Sequence, residues 1–188
     1  TYDLNRNLTA MPGISNMTYD VFNRVISTTS PSGTKTAKYD AFGRRVERQI
    51  SAESTRVYFY DMGGRMLAEY DYIASGTPPN RKYEYFVGQR VGYYTDRLGS
   101  VRRTSGTANS HYYPFGEEIT GTSNDTYKFA ETYRDSDTAL DYAMNRYYSS
   151  AIGRFTSPDI GAPSEAEPKT WNRYAYVVND PINNVDPA

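Results

Sequence analysis

The sequence predicts an all-β protein in which one antiparallel sheet grows by repetition, and three observations carry that expectation. A unit recurs as Tyr19-Asp20-Val21-Phe22-Asn23-Arg24, Tyr39-Asp40-Ala41-Phe42-Gly43-Arg44 and Tyr60-Asp61-Met62-Gly63-Gly64-Arg65, with a degenerate copy at Tyr2-Asp3; successive pairs start 17, 20 and 21 residues apart. A period near twenty marks units that cannot bury an apolar face alone. The flanking segments alternate with period two, so that Tyr58/Tyr60, Tyr70/Tyr72 and Tyr83/Tyr85 each share a face. Finally, 20 Tyr stand against 7 Phe and 1 Trp, so most aromatic surface carries a polar handle suited to a sheet with a hydrogen-bonded rim.

Each element follows from turn chemistry. An Asp opening a turn bonds backbone ahead of it, and Gly or Asn at the fourth position accepts the left-handed conformation that returns the chain antiparallel. Hairpin turns are therefore expected at Asp20–Asn23, Asp40–Gly43, Asp61–Gly64 and Asp96–Gly99, each Tyr-Asp pair ending a strand. Residues 74–80, Ala-Ser-Gly-Thr-Pro-Pro-Asn, read as a breaker-rich loop. Strands continue over 81–120 around Asp96-Arg97-Leu98-Gly99 and Pro114-Phe115-Gly116. From about Tyr127 the spacing is lost, and Arg146 to Asp159 and Trp171 to Ala188 show little periodicity. Helix is expected only as short turns after about Asp135.

Composition narrows the function. With 188 residues and 38% hydrophobic content, much of it Tyr, a thick aliphatic core is not expected. A net charge of -1 argues against a dedicated nucleic-acid or membrane surface. Arg44-Arg45 and Arg102-Arg103 read as solvated strand faces. No apolar run is long enough to span a bilayer, and the start of the chain lacks a charged-then-apolar signal segment. With no Cys and one His, His111, neither a thiolate nor a multi-His metal centre is expected, nor any cofactor.

Seven motifs then occur in order: Thr95-Asp-Arg-Leu-Gly-Ser-Val-Arg102, Tyr113-Pro-Phe-Gly116, Ala139-Leu-Asp-Tyr142, Asn145-Arg-Tyr-Tyr148, Gly153-Arg-Phe-Thr-Ser-Pro-Asp159, Asn172-Arg-Tyr-Ala-Tyr176 and Asn179-Asp-Pro-Ile-Asn-Asn-Val-Asp-Pro187. Together they resemble the Rhs repeat-associated core domain, and the upstream units resemble the YD repeats of bacterial Rhs proteins, toxin-complex C components and teneurins. The resemblance implies a YD-repeat sheet that spirals into part of a hollow β-shell, ending in a core domain that curls inward. It divides the chain into YD hairpins over 1–73, continued sheet and the start of the core over 74–120, and a C-terminal core segment over 121–188. It also implies a secreted or cell-surface bacterial protein, partnered by the rest of the shell or by other copies of the chain, with an enclosed C-terminal toxin in the full protein. Four or five repeats leave strand edges unpaired, as expected of a fragment or of a unit completed by other copies.

The resemblance further implies a single-turnover, intramolecular self-cleavage by an aspartic-protease-like pair, just after an Asp-Pro-x-Gly-Leu type motif. By position, Asp159 and Asp186 match the carboxylates and Arg146 an accompanying Arg. Two carboxyls held close cannot both ionise cheaply, so one serves as acid and the other as base. On the residues alone, Asp186 before Pro is a turn residue, Asp159 a turn or cap residue, and Asp180 a rival partner. The sequence stops at Ala188, before the Gly-Leu that would carry the scissile bond. The alternative is a structural or adhesive surface module, without catalysis, that contacts protein or glycan through Tyr-rich faces and assembles by strand-edge pairing.

Overall fold

The computed structural model describes residues 1–49, 52, 54–73, 81–83, 85–86, 89–104 and 109–186. The loop expected at 74–80 and the facing of the Tyr83 and Tyr85 side chains lie outside the described residues. A seven-stranded antiparallel sheet runs in chain order through β1 (Asn16–Tyr19), β2 (Val25–Ser30), β3 (Gly33–Tyr39), β4 (Arg45–Gln49), β5 (Ser54–Tyr60), β6 (Met66–Ile73) and β7 (Arg81–Tyr83). The Tyr of each pair closes β1, β3 and β5, as the turn chemistry requires.

At each turn the fourth residue's N–H donates to the Asp carbonyl: Asn23 to Asp20 at 3.0 Å, Gly43 to Asp40 and Gly64 to Asp61 at 3.1 Å, Gly99 to Asp96 at 3.0 Å. Those fourth residues have φ of 61°, 84°, 85° and 80°, so Gly or Asn is needed there. The Asp40 carboxylate does the rest. Its Oδ1 accepts from the N–H groups of Phe42 and Arg44, both at 2.9 Å, and its Oδ2 from Arg44 Nε at 2.7 Å. Burial opposes ionisation of Asp40, but these Arg44 and Phe42 bonds win and hold its pKa below the usual value.

The Arg of one turn reaches the next. Arg24 Nη1 donates to the Asp40 carbonyl at 3.4 Å and Arg44 Nη1 to that of Asp61 at 3.0 Å. The Tyr hydroxyls run the other way: Tyr19 to Leu8 O and Tyr39 to Val25 O at 2.6 Å, Tyr60 to Arg45 O at 2.8 Å. Arg24 stacks over Tyr39 and Arg44 over Tyr60. The repeat is thus a ladder of turns along one rim of the sheet.

Two short pairs follow, β8 (Tyr85–Phe86) with β9 (Gln89–Arg90), and β10 (Tyr93–Thr95) with β11 (Val101–Thr104) around the Asp96 turn. The last third, which lacks sequence periodicity, forms a five-stranded meander of β12 (Thr126–Tyr127), β13 (Tyr133–Arg134), β14 (Asp141–Ala143), β15 (Arg146–Ser149) and β16 (Arg154–Phe155). Helix among the described residues is confined to single 3-10 turns at Pro168–Trp171 and Val177–Asn179.

The meander folds back onto one face of the long sheet. Met17, Val25, Tyr58 and Met66 pack there against Tyr133, Leu140, Tyr142 and Tyr147, a core in which Tyr outweighs aliphatic residues. The same interface buries charge. Arg45, expected on a solvated face, is 1% exposed. Its guanidinium bonds Asp135 at 2.6 Å, the Tyr147 hydroxyl at 2.5 Å and that of Tyr58 at 3.1 Å, and lies against the Tyr142 ring at 4.4 Å. Arg48 pairs with Asp125 and Asp135, both at 3.2 Å, and with Asp137. Partners supplied by the meander correct the reading of Arg45: the long-range fold, not the local sequence, decides its solvation. Arg102, by contrast, is solvated as expected.

Candidate functional site

Arg146 is the first residue of β15, and a two-residue turn, Met144-Asn145, delivers it from β14, with Ala143 paired to Arg146. Its guanidinium rests on the Phe155 ring of β16, 3.7 Å from the centroid, and Nη1 is 3.5 Å from the Arg173 carbonyl. Asp159 lies just beyond β16. The strand lattice fixes that loop: Thr156 N–H donates to Tyr147 O at 2.8 Å, Thr156 O accepts from Leu8 at 2.7 Å, and Asp159 N–H donates to Arg173 O at 2.8 Å. Asp186 follows the turn in which Asn184 N–H donates to Asp180 O at 3.1 Å.

The fold brings the three named residues together. Arg146 Nη2 lies 3.1 Å from Asp159 Oδ2 and 4.0 Å from Asp186 Oδ2, so a single guanidinium nitrogen bridges both carboxylates. Asp159 divides its oxygens between two tasks: Oδ1 accepts from Gly161 N–H at 2.8 Å, the expected turn role, while Oδ2 faces Arg146. Burial lifts the Asp186 pKa above the usual carboxylate value; Arg146 counters this in part and Asp159 adds to it. Burial likewise lowers the Arg146 pKa, with the two carboxylates opposing. Asp180, the rival, is a cap: its oxygens accept from the N–H and amide of Asn183 at 3.0 to 3.3 Å.

Asp159, Asp186 and Arg146 stand on the lining of a cavity of ≈820 Å³. Its lining draws on the repeat turns through Phe22, Phe42, Gly63 and Gly64, on the meander through Ala130 and Met144, and on Tyr176 beyond β16. Sequence reasoning named the three polar residues but not this enclosure. The signal for it was the apolar residue at the third turn position, Phe22 and Phe42, left 71% and 80% exposed. His111 takes no part: it is exposed and lies outside the strands. Among the described residues no group of three or more His, Asp or Glu could hold a metal ion.

Comparison with known proteins places this geometry in context. The family model described as RHS Repeat matches residues 19–53. The chain is 29% identical, over its whole length, to 9% of the tRNA3(Ser)-specific nuclease WapA of Bacillus spizizenii, and 28% identical, over 94% of its length, to 14% of the probable deoxyribonuclease RhsB of Dickeya dadantii. A crystal structure of TcdB2-TccC3-Cdc42 superposes on 99% of the chain with a TM-score of 0.68 and 18% identity, using 11% of that chain. The chain therefore spans a small part of each of these proteins, and the structural likeness speaks for the fold.

Proposed function

We propose, from the premise that this chain is an Rhs/YD-repeat protein, that it forms the C-terminal part of a shell enclosing a toxin or effector, and that Asp159 and Asp186 cleave the polypeptide once to free it. Two of the relatives are nucleases by name, and one structure of similar fold is that of a Tc holotoxin pore. A secreted or surface location, with the rest of the shell and the enclosed cargo as partners, follows from the same kinship.

The observation that carries the catalytic part is the bridge of Arg146 between two carboxylates on a cavity wall. Asp159, in the closer ion pair, takes a proton from water as its oxygen attacks the scissile carbonyl carbon. Asp186, whose burial favours the protonated acid, gives its proton to the departing amide nitrogen as the carbon–nitrogen bond breaks. The products are a new carboxyl end and a new amine, and proton exchange with water resets the pair. Arg146 holds the geometry by a charge-assisted contact.

The test uses the full polypeptide with its natural downstream sequence and a C-terminal tag. The parent releases the tag, and Asp159→Asn and Asp186→Asn retain it while keeping the parent's thermal melt. Equal release from all three, or none from the parent, overturns the catalytic reading.

A further inference from the structure

One more turn repeats the backbone of the Tyr-Asp units but not their side chains. In Tyr112-Tyr113-Pro114-Phe115-Gly116-Glu117 the Gly116 N–H donates to Tyr113 O at 2.8 Å and the Tyr113 N–H to Glu117 O at 2.9 Å, as the Gly43 and Asp40 N–H groups do to Asp40 O and Arg44 O. Gly116 has φ 86°, and Tyr112 bridges Glu118 as Tyr39 pairs with Arg45. Tyr113 thus stands where the repeats carry Asp, and Glu117 where they carry Arg. The preceding turn still supplies a guanidinium: Arg102 pairs with Asp96 at 2.7 Å and lies over the Tyr112 ring, 5.7 Å from its centroid. Two rungs of the ladder are nevertheless missing. Among the described residues no Arg donates to the Tyr113 carbonyl, and the buried Tyr112 hydroxyl lacks the backbone carbonyl that those of Tyr19, Tyr39 and Tyr60 reach.

A groove of ≈530 Å³ occupies this place, a volume suited to a small ligand. Its lining draws on both turns and on the last segment, through Arg97, Tyr112, Tyr113, Pro114, Phe129 and Pro181. The backbone bearing Tyr113 is fixed, since the buried Arg134 donates to Gly116 O at 2.9 Å and the Tyr148 hydroxyl to Phe115 O at 2.7 Å, while the Tyr113 side chain stays 54% exposed. Asp96 is fully engaged, its Oδ1 by the Leu98 and Ser100 N–H groups and its Oδ2 by Arg102. Arg97 is not: among the described residues its guanidinium donates to the Ile182 carbonyl and pairs with no carboxylate.

The chemistry of the lining selects the occupant. Asp96, Leu98, Gly99, Ser100, Tyr113 and Gly116 spend their N–H groups inside the turns, and Pro114 and Pro181 have none, so little main chain is left to pair with an extended peptide. What the groove offers is rings with apolar faces and phenolic edges, beside one cation without an anion. A pyranose, with a C–H face and a rim of hydroxyls, matches the rings, and a carboxylate on it matches the charge. We infer that this groove binds a carboxylated sugar, with the pyranose against Tyr113 and its carboxylate paired to Arg97. The site shares no lining residue with the cavity of Asp159 and Asp186 and does not depend on cleavage.

The test titrates the full polypeptide with trigalacturonate and with sialyllactose, taking galactotriose and lactose as uncharged counterparts and a Glu-Ala-Glu peptide as the acidic rival. At least one carboxylated sugar should bind about 10-fold more tightly than its counterpart, and more weakly as salt is raised. Arg97→Ala should erase that preference, and Tyr113→Ala should weaken charged and neutral sugars alike, both at the parent's melting temperature. Tyr113→Ala leaves the contact of Arg97 with Ile182 in place, so it reads the site even where loss of that contact disturbs the fold. Binding of neither acidic sugar, equal binding of the neutral ones, tighter binding of the peptide, or an affinity that either substitution leaves unmoved would overturn the inference.

Discussion

Arg146 and Arg45 show how differently one residue type can be used. Arg146 is positioned by an aromatic ring and shared between two carboxylates at a cavity, so its neighbours' protonation matters. Since burial raises the Asp186 pKa above its usual value and the protonated acid is the active form, cleavage should fall as pH climbs through the raised value. A rate profile of tag release checks this; a rate that rises with pH would exchange the roles of acid and base. Arg45 is structural. Removing its anionic partner with Asp135→Asn strands a buried guanidinium and should cost about 3–5 kcal/mol, whereas Arg45→Met/Asp135→Leu, which removes both charges, should cost far less. Urea melts of the two variants separate the cases. The family resemblance singled out Asp159, Asp186 and Arg146 by position, and the fold sets all three on one cavity lining. The burial of Arg45 was not legible in the sequence, because its carboxylate and three of its rings lie at least 88 residues away along the chain, as the spacing from Arg45 to Tyr133, Asp135, Tyr142 and Tyr147 shows.

At the level of elements, the repeat turns could be read directly because their chemistry is local. Asp at the start and Gly or Asn at a positive φ specify each hairpin without help from the rest of the fold. Asp40→Ala should therefore destabilise the protein by about 1–2 kcal/mol, comparable to loss of a capping residue. It should also loosen Arg44 from both its own turn and the Asp61 carbonyl. A thermal melt, with hydrogen exchange at the Phe42 and Arg44 amides, would show it, and unchanged protection there would mean the carboxylate is dispensable. The meander was not legible. Its strands are two to four residues long, too short for a period to emerge, and its turns place Ala130, Glu131, Ala139 and Met144 in conformations normally announced by glycine. Tertiary packing against the repeat sheet holds what local preference does not.

For the molecule as a whole, β1 ends the long sheet, with β2 as its partner strand among the described residues and Met17 N–H bonded to Thr9 O at 2.7 Å. An outer strand with free donors and acceptors recruits another chain. The protein should associate as concentration rises, and light scattering across a dilution series would reveal it. A molecular mass independent of concentration would show the edge to be blunted, for which Met17 N–H, already bonded to Thr9 O, and the bridges Met11 to Ile14 and Tyr2 to Leu8 are the available devices.

The rungs joining successive turns also decide where this protein can change length. Every Tyr-Asp turn has the same reach, with Tyr19 opposite Val25, Tyr39 opposite Arg45 and Tyr60 opposite Met66, and each is pinned to its neighbour through an Arg and a Tyr. Yet the Asp residues are spaced unequally, 17, 20 and 21 positions apart. The surplus must be taken up along the strands and at their far ends, as at the turn between Ser30 and Gly33. One border of the sheet is therefore metrically fixed and the other elastic. Residues inserted between Pro31 and Ser32 would be absorbed as a longer loop, whereas a single residue inserted between Asp40 and Gly43 would break two rungs and shift the wall of the cavity that Phe42 lines.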